Sequence, residues 1–96
     1  MMNTQFVLKE IEEIIQTVKD HASKNLNHVT DCDFFLNKYS YFKKSIADNN
    51  LKEINEFIYW NKWYAPRIVY DGIGNKKLIG LIEKLNSMFD GKERTI

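Results

Sequence analysis

Apolar residues recur every three or four positions along most of the chain, and this spacing predicts helices. The clearest run covers residues 5–24, where an apolar stripe faces away from charged positions on the other sides of the helix. The stripe consists of Val7, Leu8, Ile11, Ile14, Ile15, Val18 and Ala22. An isolated stripe of this kind has to be buried against other elements, so the run predicts an amphipathic helix on the outside of a globular domain.

The two middle helices are predicted from their starts and stops. A second helix over residues 30–48 follows from Thr30 and Asp33, which have the spacing of a capping box. Asn50 and Glu53 have the same spacing and open a third helix. Its core face is predicted to comprise Leu51, Ile54, Ile58 and Ala65. This helix has to end before the single proline, because the residue that precedes a proline avoids helical geometry.

The last helix is predicted over residues 75–89, and it contains Gly80. A glycine in a helix costs about 1 kcal/mol relative to alanine, so we expect it to mark the close approach of a neighbouring helix. Residues 66–71 are predicted as a short helix with Pro66 at its first position, although Ile, Val and Tyr there also suit an extended segment. Residues from 91 onward read as a polar tail.

These elements together predict an all-α fold. The 96 residues are expected to form one domain, a compact bundle of four main helices with the short helix around 66–71 as an addition. A single cysteine excludes an internal disulfide and favours a reducing compartment. No apolar run approaches the ~20 residues that span a bilayer. We therefore expect a cytoplasmic protein without membrane contact.

The charge balance argues against nucleic acid as the partner. The chain carries 14 basic and 13 acidic residues, a net charge of +1, whereas nucleic-acid binders usually have a basic excess or stripe. Acidic residues outnumber lysines in residues 1–33. Glu10, Glu13 and Asp33 are the members of that group that we expect to face a basic partner.

Motifs of the common enzyme classes are absent, so we expect neither catalysis nor a cofactor. His28 and Cys32 are four residues apart, as a base and a thiol nucleophile would be, and His21 and Asp31 lie near them as further metal-ligand types. Neither pattern is specific. Such residues are ordinary at a helix–helix link, so we expect no catalytic or metal site here, and the role of Cys32 and His28 stays open.

Aromatic residues are concentrated in the middle of the chain. Eleven of the 13 lie in residues 34–70, and the segment 59–64 reads YWNKWY. At about 100° per residue Trp60 projects opposite the core line of its helix, which predicts that it is an exposed anchor, with Trp63 partly buried against the Pro66 segment. Trp, Tyr and Arg are the usual anchors of protein interfaces. A second core layer is the alternative. The expected partner-binding residues are Tyr59, Trp60, Trp63, Tyr64, Arg67, Glu10, Glu13 and Asp33.

The stretch WNKWYAPRIVYDGIGNKKLIGLIEKLN is similar to segments of small cytoplasmic immunity proteins of bacterial polymorphic toxin systems, including contact-dependent growth inhibition. The resemblance rests on a small helical domain without a catalytic motif and with an aromatic and charged surface. It implies a cognate toxin domain, often a nuclease, that this protein binds and blocks. A small nucleic-acid-associated regulator and a phage-encoded inhibitor of a host defence protein are the alternatives, and a homodimer stays open.

Overall fold

The computed structural model describes residues 4–89, which form helices and turns without any strand, so the predicted all-α bundle is confirmed. The helices are α1 (Thr4–Lys24), α2 (Val29–Ala47), α3 (Leu51–Trp63), α4 (Ala65–Ile68) and α5 (Lys76–Met88). A 3₁₀ turn, Leu26–His28, joins α1 to α2, and a π-helical turn, Val69–Ile73, follows α4. The polar tail predicted from residue 91 lies outside the described residues.

Side-chain caps fix the starts of α3 and α5. The Oδ1 atom of Asn50 accepts the backbone N–H of Glu53 at 3.1 Å, as the sequence predicts. Asn75 caps α5 in the same way, by accepting the N–H of Leu78 at 3.0 Å. Each cap satisfies one of the N–H groups that a helix leaves without an intrahelical partner. The predicted short helix at 66–71 is present as α4 and the π turn, and Gly74 ends it with a φ of 68°.

The predicted capping box at the start of α2 is wrong. The helix already begins at Val29, so Thr30 lies within its first turn, and no side chain caps it. The reason is the 3₁₀ turn, whose residue His28 bonds through its N–H to the carbonyl of Asn25 at 2.9 Å. This turn leads directly into α2, so the helix needs no separate cap.

The core lies between the two longest helices and α3 and α5. α1 packs mainly against α2 and α5, and α3 packs against α2, α4 and α5. Ile54, Ile58 and Ala65 are buried on α3 and α4 as predicted, whereas Leu51 is exposed in the first turn of α3. The largest buried rings of the core are those of Phe35, Tyr39, Phe42 and Phe89.

A buried polar chain crosses this core. The hydroxyl of Tyr39 donates to the side-chain oxygen of Asn61. Asn61 in turn donates to the side-chain oxygen of Asn86 at 2.7 Å, and Asn86 donates back to the Asn61 carbonyl at 3.2 Å. Burial holds the pKa of Tyr39 well above its ordinary value, so the hydroxyl stays a donor. These bonds join one side chain from each of α2, α3 and α5, so they fix how the three helices are aligned with one another.

Gly80 does not mark a helix–helix contact, contrary to the sequence prediction. It lies on the exposed side of α5, and a β-carbon built there meets no atom within 4 Å. The residue therefore weakens the helix without any packing advantage.

Gly80→Ala is accordingly expected to raise the free energy of unfolding by about 1 kcal/mol, because alanine loses less backbone freedom in a helix. Gly74→Ala is the matched control. Its φ of 68° strains any residue with a β-carbon, so it is expected to destabilise although the space is open. Urea unfolding of the two variants measures both effects. A Gly80→Ala variant less stable than wild type would contradict the open position of Gly80.

Candidate functional site

Helix α3 has apolar side chains on two opposite faces. Its buried face consists of Ile54, Phe57, Ile58 and Asn61. At about 100° per residue, Tyr59 and Trp63 project about 170° from the centre of that face. Both side chains are exposed, 57% for Tyr59 and 60% for Trp63. A helix that is apolar on opposite sides is normally covered on both, yet nothing in residues 4–89 covers the outer side of α3.

Three exposed aromatic residues lie near the end of α3, and we call Tyr59, Trp63 and Tyr64 the aromatic patch. The rings of Tyr59 and Tyr64 lie 6.1 Å apart, which is a favourable distance for aromatic pairs. The ammonium group of Lys62 lies 5.5 Å from the centre of the Trp63 ring. Each ring of the patch thus has a contact partner in the free protein, which reduces the side-chain entropy that binding would cost.

The exposures of Trp60 and Trp63 are the opposite of those that the sequence predicts. The ring of Trp60 is half-buried, and its centroid lies within 6.0 Å of the centroids of four other aromatic rings. These are the rings of Phe34, Phe35, Tyr39 and Phe57. The sequence-based projection failed because it took Leu51, which is exposed, as the reference of the core line and omitted Phe57. About the centre of the observed buried face, Trp60 projects at about 110° and Trp63 at about 170°. Trp63 is the exposed indole, and Trp60 instead forms one wall of a hollow of about 80 Å³ between α2 and α3.

Two further predicted residues lie at the same end of the bundle as the patch. Arg67 is exposed on α4, three residues after Tyr64. Asp33 is exposed on α2 and precedes Phe34, whose ring contacts Trp60. Phe34 itself is 43% exposed, and the sequence marks it only by its position off the core line of α2. The ammonium group of Lys38 lies above the rings of both Phe34 and Trp60. The charges around the patch are therefore of both signs.

The structure does not bring the acidic residues of α1 to this surface. Glu10 is buried rather than exposed, and its Oε1 atom pairs with the Lys84 ammonium at 3.3 Å. Glu13 is exposed, but it lines a cleft between α1 and α5. Glu12 pairs with Lys43 of α2. Glu10 and Glu12 are thus paired with lysines of α5 and α2, and a variant at the buried Glu10 would report folding rather than association.

The polar cluster between α1 and α2 is not arranged for nucleophilic catalysis. The thiol of Cys32 is buried, and burial together with Asp31 and Asp33 raises its pKa, so the reactive thiolate is disfavoured. The Nδ1 atom of His28 bonds to His21 at 2.8 Å instead of activating the thiol. Among residues 4–89, no three His, Cys, Asp or Glu side chains are grouped as metal ligands.

Comparisons of the chain with family models, with curated proteins and with solved structures find no match. Within the described range, no helix has the length and apolar character that crossing a membrane requires. The aromatic patch is thus the surface feature of residues 4–89 that most resembles a binding site.

Proposed function

We propose that this protein is a non-enzymatic binding protein of the immunity type, which inhibits a cognate toxin domain by covering its active site. The observation that carries the proposal is the aromatic patch on the outer face of α3. Exposed Trp and Tyr side chains that cluster on a rigid helix are typical of the anchors of protein interfaces.

Occlusion needs a rigid convex surface, and α3 provides one. The helix is held from behind by its buried face and by the chain of Tyr39, Asn61 and Asn86. A standard interface buries about 800 Å² on each partner, which a domain of this size can present around one helix. We infer that the patch enters a concave site on the partner and excludes its substrate.

A protein partner fits the surrounding charges better than a nucleic acid does. Lys62 and Arg67 flank the patch on one side, but Glu56 is exposed on the same face of α3. Single-stranded nucleic acids also stack on aromatic rings, yet they need a groove of continuous positive charge as well. Mixed charges instead suit a protein surface, where they set specificity and orientation.

The proposal is tested by photo-crosslinking in cells of the source organism. A photoreactive phenylalanine derivative at position 63 is expected to trap a protein, whereas the same group at position 26, an exposed leucine in the 3₁₀ turn, is not. Co-expression of the trapped protein with wild type should relieve its toxicity. A cross-link to nucleic acid, or a trapped protein that is not toxic alone, would contradict the immunity function.

A further inference from the structure

His21 lines a polar cleft of about 380 Å³, and it bonds there to His28, the only other histidine of the chain. The cleft lies where the end of α1, the 3₁₀ turn and the start of α5 come together. His21 and Asn25 come from the α1 side, and Asn75 comes from the cap of α5. His28 bonds to His21 from the 3₁₀ turn.

The two imidazoles lie edge to edge rather than face to face. Their planes differ by only 6°, their centroids are 5.1 Å apart, and the Nε2 atom of His21 lies 2.8 Å from the Nδ1 atom of His28. The 5.1 Å between the two centroids equals the 2.8 Å between the nitrogens plus the short distance from each centroid to its own nitrogen, so these four points lie nearly on one line. The contact is therefore an in-plane N–H···N hydrogen bond, in which one nitrogen has to donate and the other has to accept.

The cap of α5 decides which nitrogen donates. Asn75 uses Oδ1 to accept the N–H of Leu78, so its amide NH₂ is the group that faces His21 Nδ1, at 3.2 Å. Nδ1 of His21 consequently accepts, and the proton of the neutral ring is on Nε2. This Nε2–H donates to Nδ1 of His28. The bonds run in one direction from Asn75 through His21 to His28.

This arrangement leaves no place for an additional proton. A neutral imidazole is protonated at its lone pair, and in both rings that lone pair already accepts a hydrogen bond. A proton on His21 would face the NH₂ group of Asn75. Asn75 could turn its oxygen toward the ring only by giving up the cap on Leu78.

We propose that His21, His28 and Asn75 form a proton-sensitive latch, which joins the end of α1 and the start of α2 to the start of α5 only while both imidazoles are neutral. Acidification opens the latch at the N-terminus of α5. The device makes the stability of this corner of the bundle depend on pH in the range where histidine titrates.

The electrostatics of the cleft agree with this geometry. Burial, and then the neighbouring His28, lower the pKa of His21 below its ordinary value. Asp20 and Lys24 of α1 and Lys77 of α5 also line the cleft, so its carboxylate is outnumbered by ammonium groups. From α2, Asp31 lies against Gly72 of the π turn.

The sign of the pH effect follows from linkage. Because the folded protein holds the pKa of His21 down, the unfolded chain binds the proton more readily. The contribution of the latch to the free energy of unfolding is fully present above the pKa of His21 in the unfolded chain, about 6.5. It decreases as the pH falls from there through the pKa of the folded protein. The comparison of about pH 7.5 with about pH 5.5 spans the ordinary histidine range, in which His21 is expected to change its charge.

Asn75→Asp provides the sharpest test. One carboxylate oxygen keeps the cap on Leu78, since Asp caps helices as well as Asn does. The other oxygen replaces the NH₂ group that faces His21 and favours the protonated ring. The substitution should therefore raise the pKa of His21 and reverse the effect of acidification on the melting temperature relative to wild type. Asn27→Asp is the control, because it adds the same charge at an exposed position of the 3₁₀ turn.

Long-range ¹H–¹⁵N NMR spectra measure the tautomer and the pKa of His21. The melting temperatures at pH 5.5 and 7.5 measure how much the latch stabilises the protein. We expect the Nε2–H tautomer in wild type, a lower melting temperature at pH 5.5, and a reversed shift in Asn75→Asp but not in Asn27→Asp. A proton on Nδ1 of His21 at pH 7.5, or the same pH response in Asn75→Asp as in wild type, would overturn the proposal.

Discussion

Asn61→Leu is expected to lower the free energy of unfolding by about 3 kcal/mol, although leucine has nearly the same shape as asparagine. Asn61 is completely buried, and it accepts from Tyr39 and donates to Asn86. Leucine leaves the hydroxyl of Tyr39 and the side-chain oxygen of Asn86 without their bonds to residue 61, although Asn86 still donates to the backbone carbonyl there. An unpaired buried polar group costs about 1–3 kcal/mol. Urea unfolding measures the loss.

Tyr39→Phe is the matched variant, because it removes one member of the same chain and leaves a well-packed ring. It is expected to cost about 1–2 kcal/mol, through the Asn61 oxygen that it leaves unpaired. The double variant should cost less than the sum of the two, since the bond between the residues is lost only once. Additive losses, or an Asn61→Leu variant as stable as wild type, would show that the chain does not stabilise the core.

Trp60→Ala is expected to destabilise the protein by about 3 kcal/mol, whereas Trp63→Ala should change stability by less than about 0.5 kcal/mol. Trp60 lies among four aromatic rings, and its removal leaves a cavity beside Phe35, Tyr39 and Phe57. Trp63 is 60% exposed, and the ammonium group of Lys62 lies over its ring. Both variants replace a tryptophan of α3 by alanine, so they differ only in the position of the residue on that helix.

Chemical denaturation of both variants measures the difference. Equal losses of stability would mean that Trp63 is covered in solution and that the aromatic patch belongs to the core. A stable Trp60→Ala variant would mean instead that the ring cluster between α2 and α3 contributes little to folding.

The sequence predicts the helices well because their signals are local. The apolar stripe of α1 and the cap at Asn50 depend only on residues a few positions apart, and such local patterns favour helices directly. The missed start of α2 has a local cause too, but the 3₁₀ turn that produces it has no distinctive composition.

The candidate site depends on which residues of α3 face the core, and tertiary packing decides that. The helical projection identified α3 as apolar on two sides, yet it assigned the exposed indole to Trp60 because it took Leu51 as the core reference, and the packed structure leaves Leu51 exposed. Glu10 was misjudged for a related reason. Its burial follows from the packing of α5, which brings Lys84 to its carboxylate.

The pairing of His21 with His28 and Asn75 also required the tertiary structure. Asn75 lies 54 residues beyond His21, and no local signal links them. The sequence marks the histidines as a cluster at a helix–helix link, but only the cap of α5 fixes the direction of the hydrogen bonds.

If the outer face of α3 is the binding surface proposed above, Trp63→Ala is expected to lose affinity for the cross-linked partner. Removal of an interface anchor weakens binding by about 2 kcal/mol or more, on the order of thirtyfold in Kd. Leu26→Ala is the control, since Leu26 is an exposed apolar residue at the link between α1 and α2. Titration calorimetry with the purified partner should show a loss of at least about thirtyfold for Trp63→Ala and no more than about twofold for Leu26→Ala. Equal affinities of wild type and a folded Trp63→Ala variant would contradict the account.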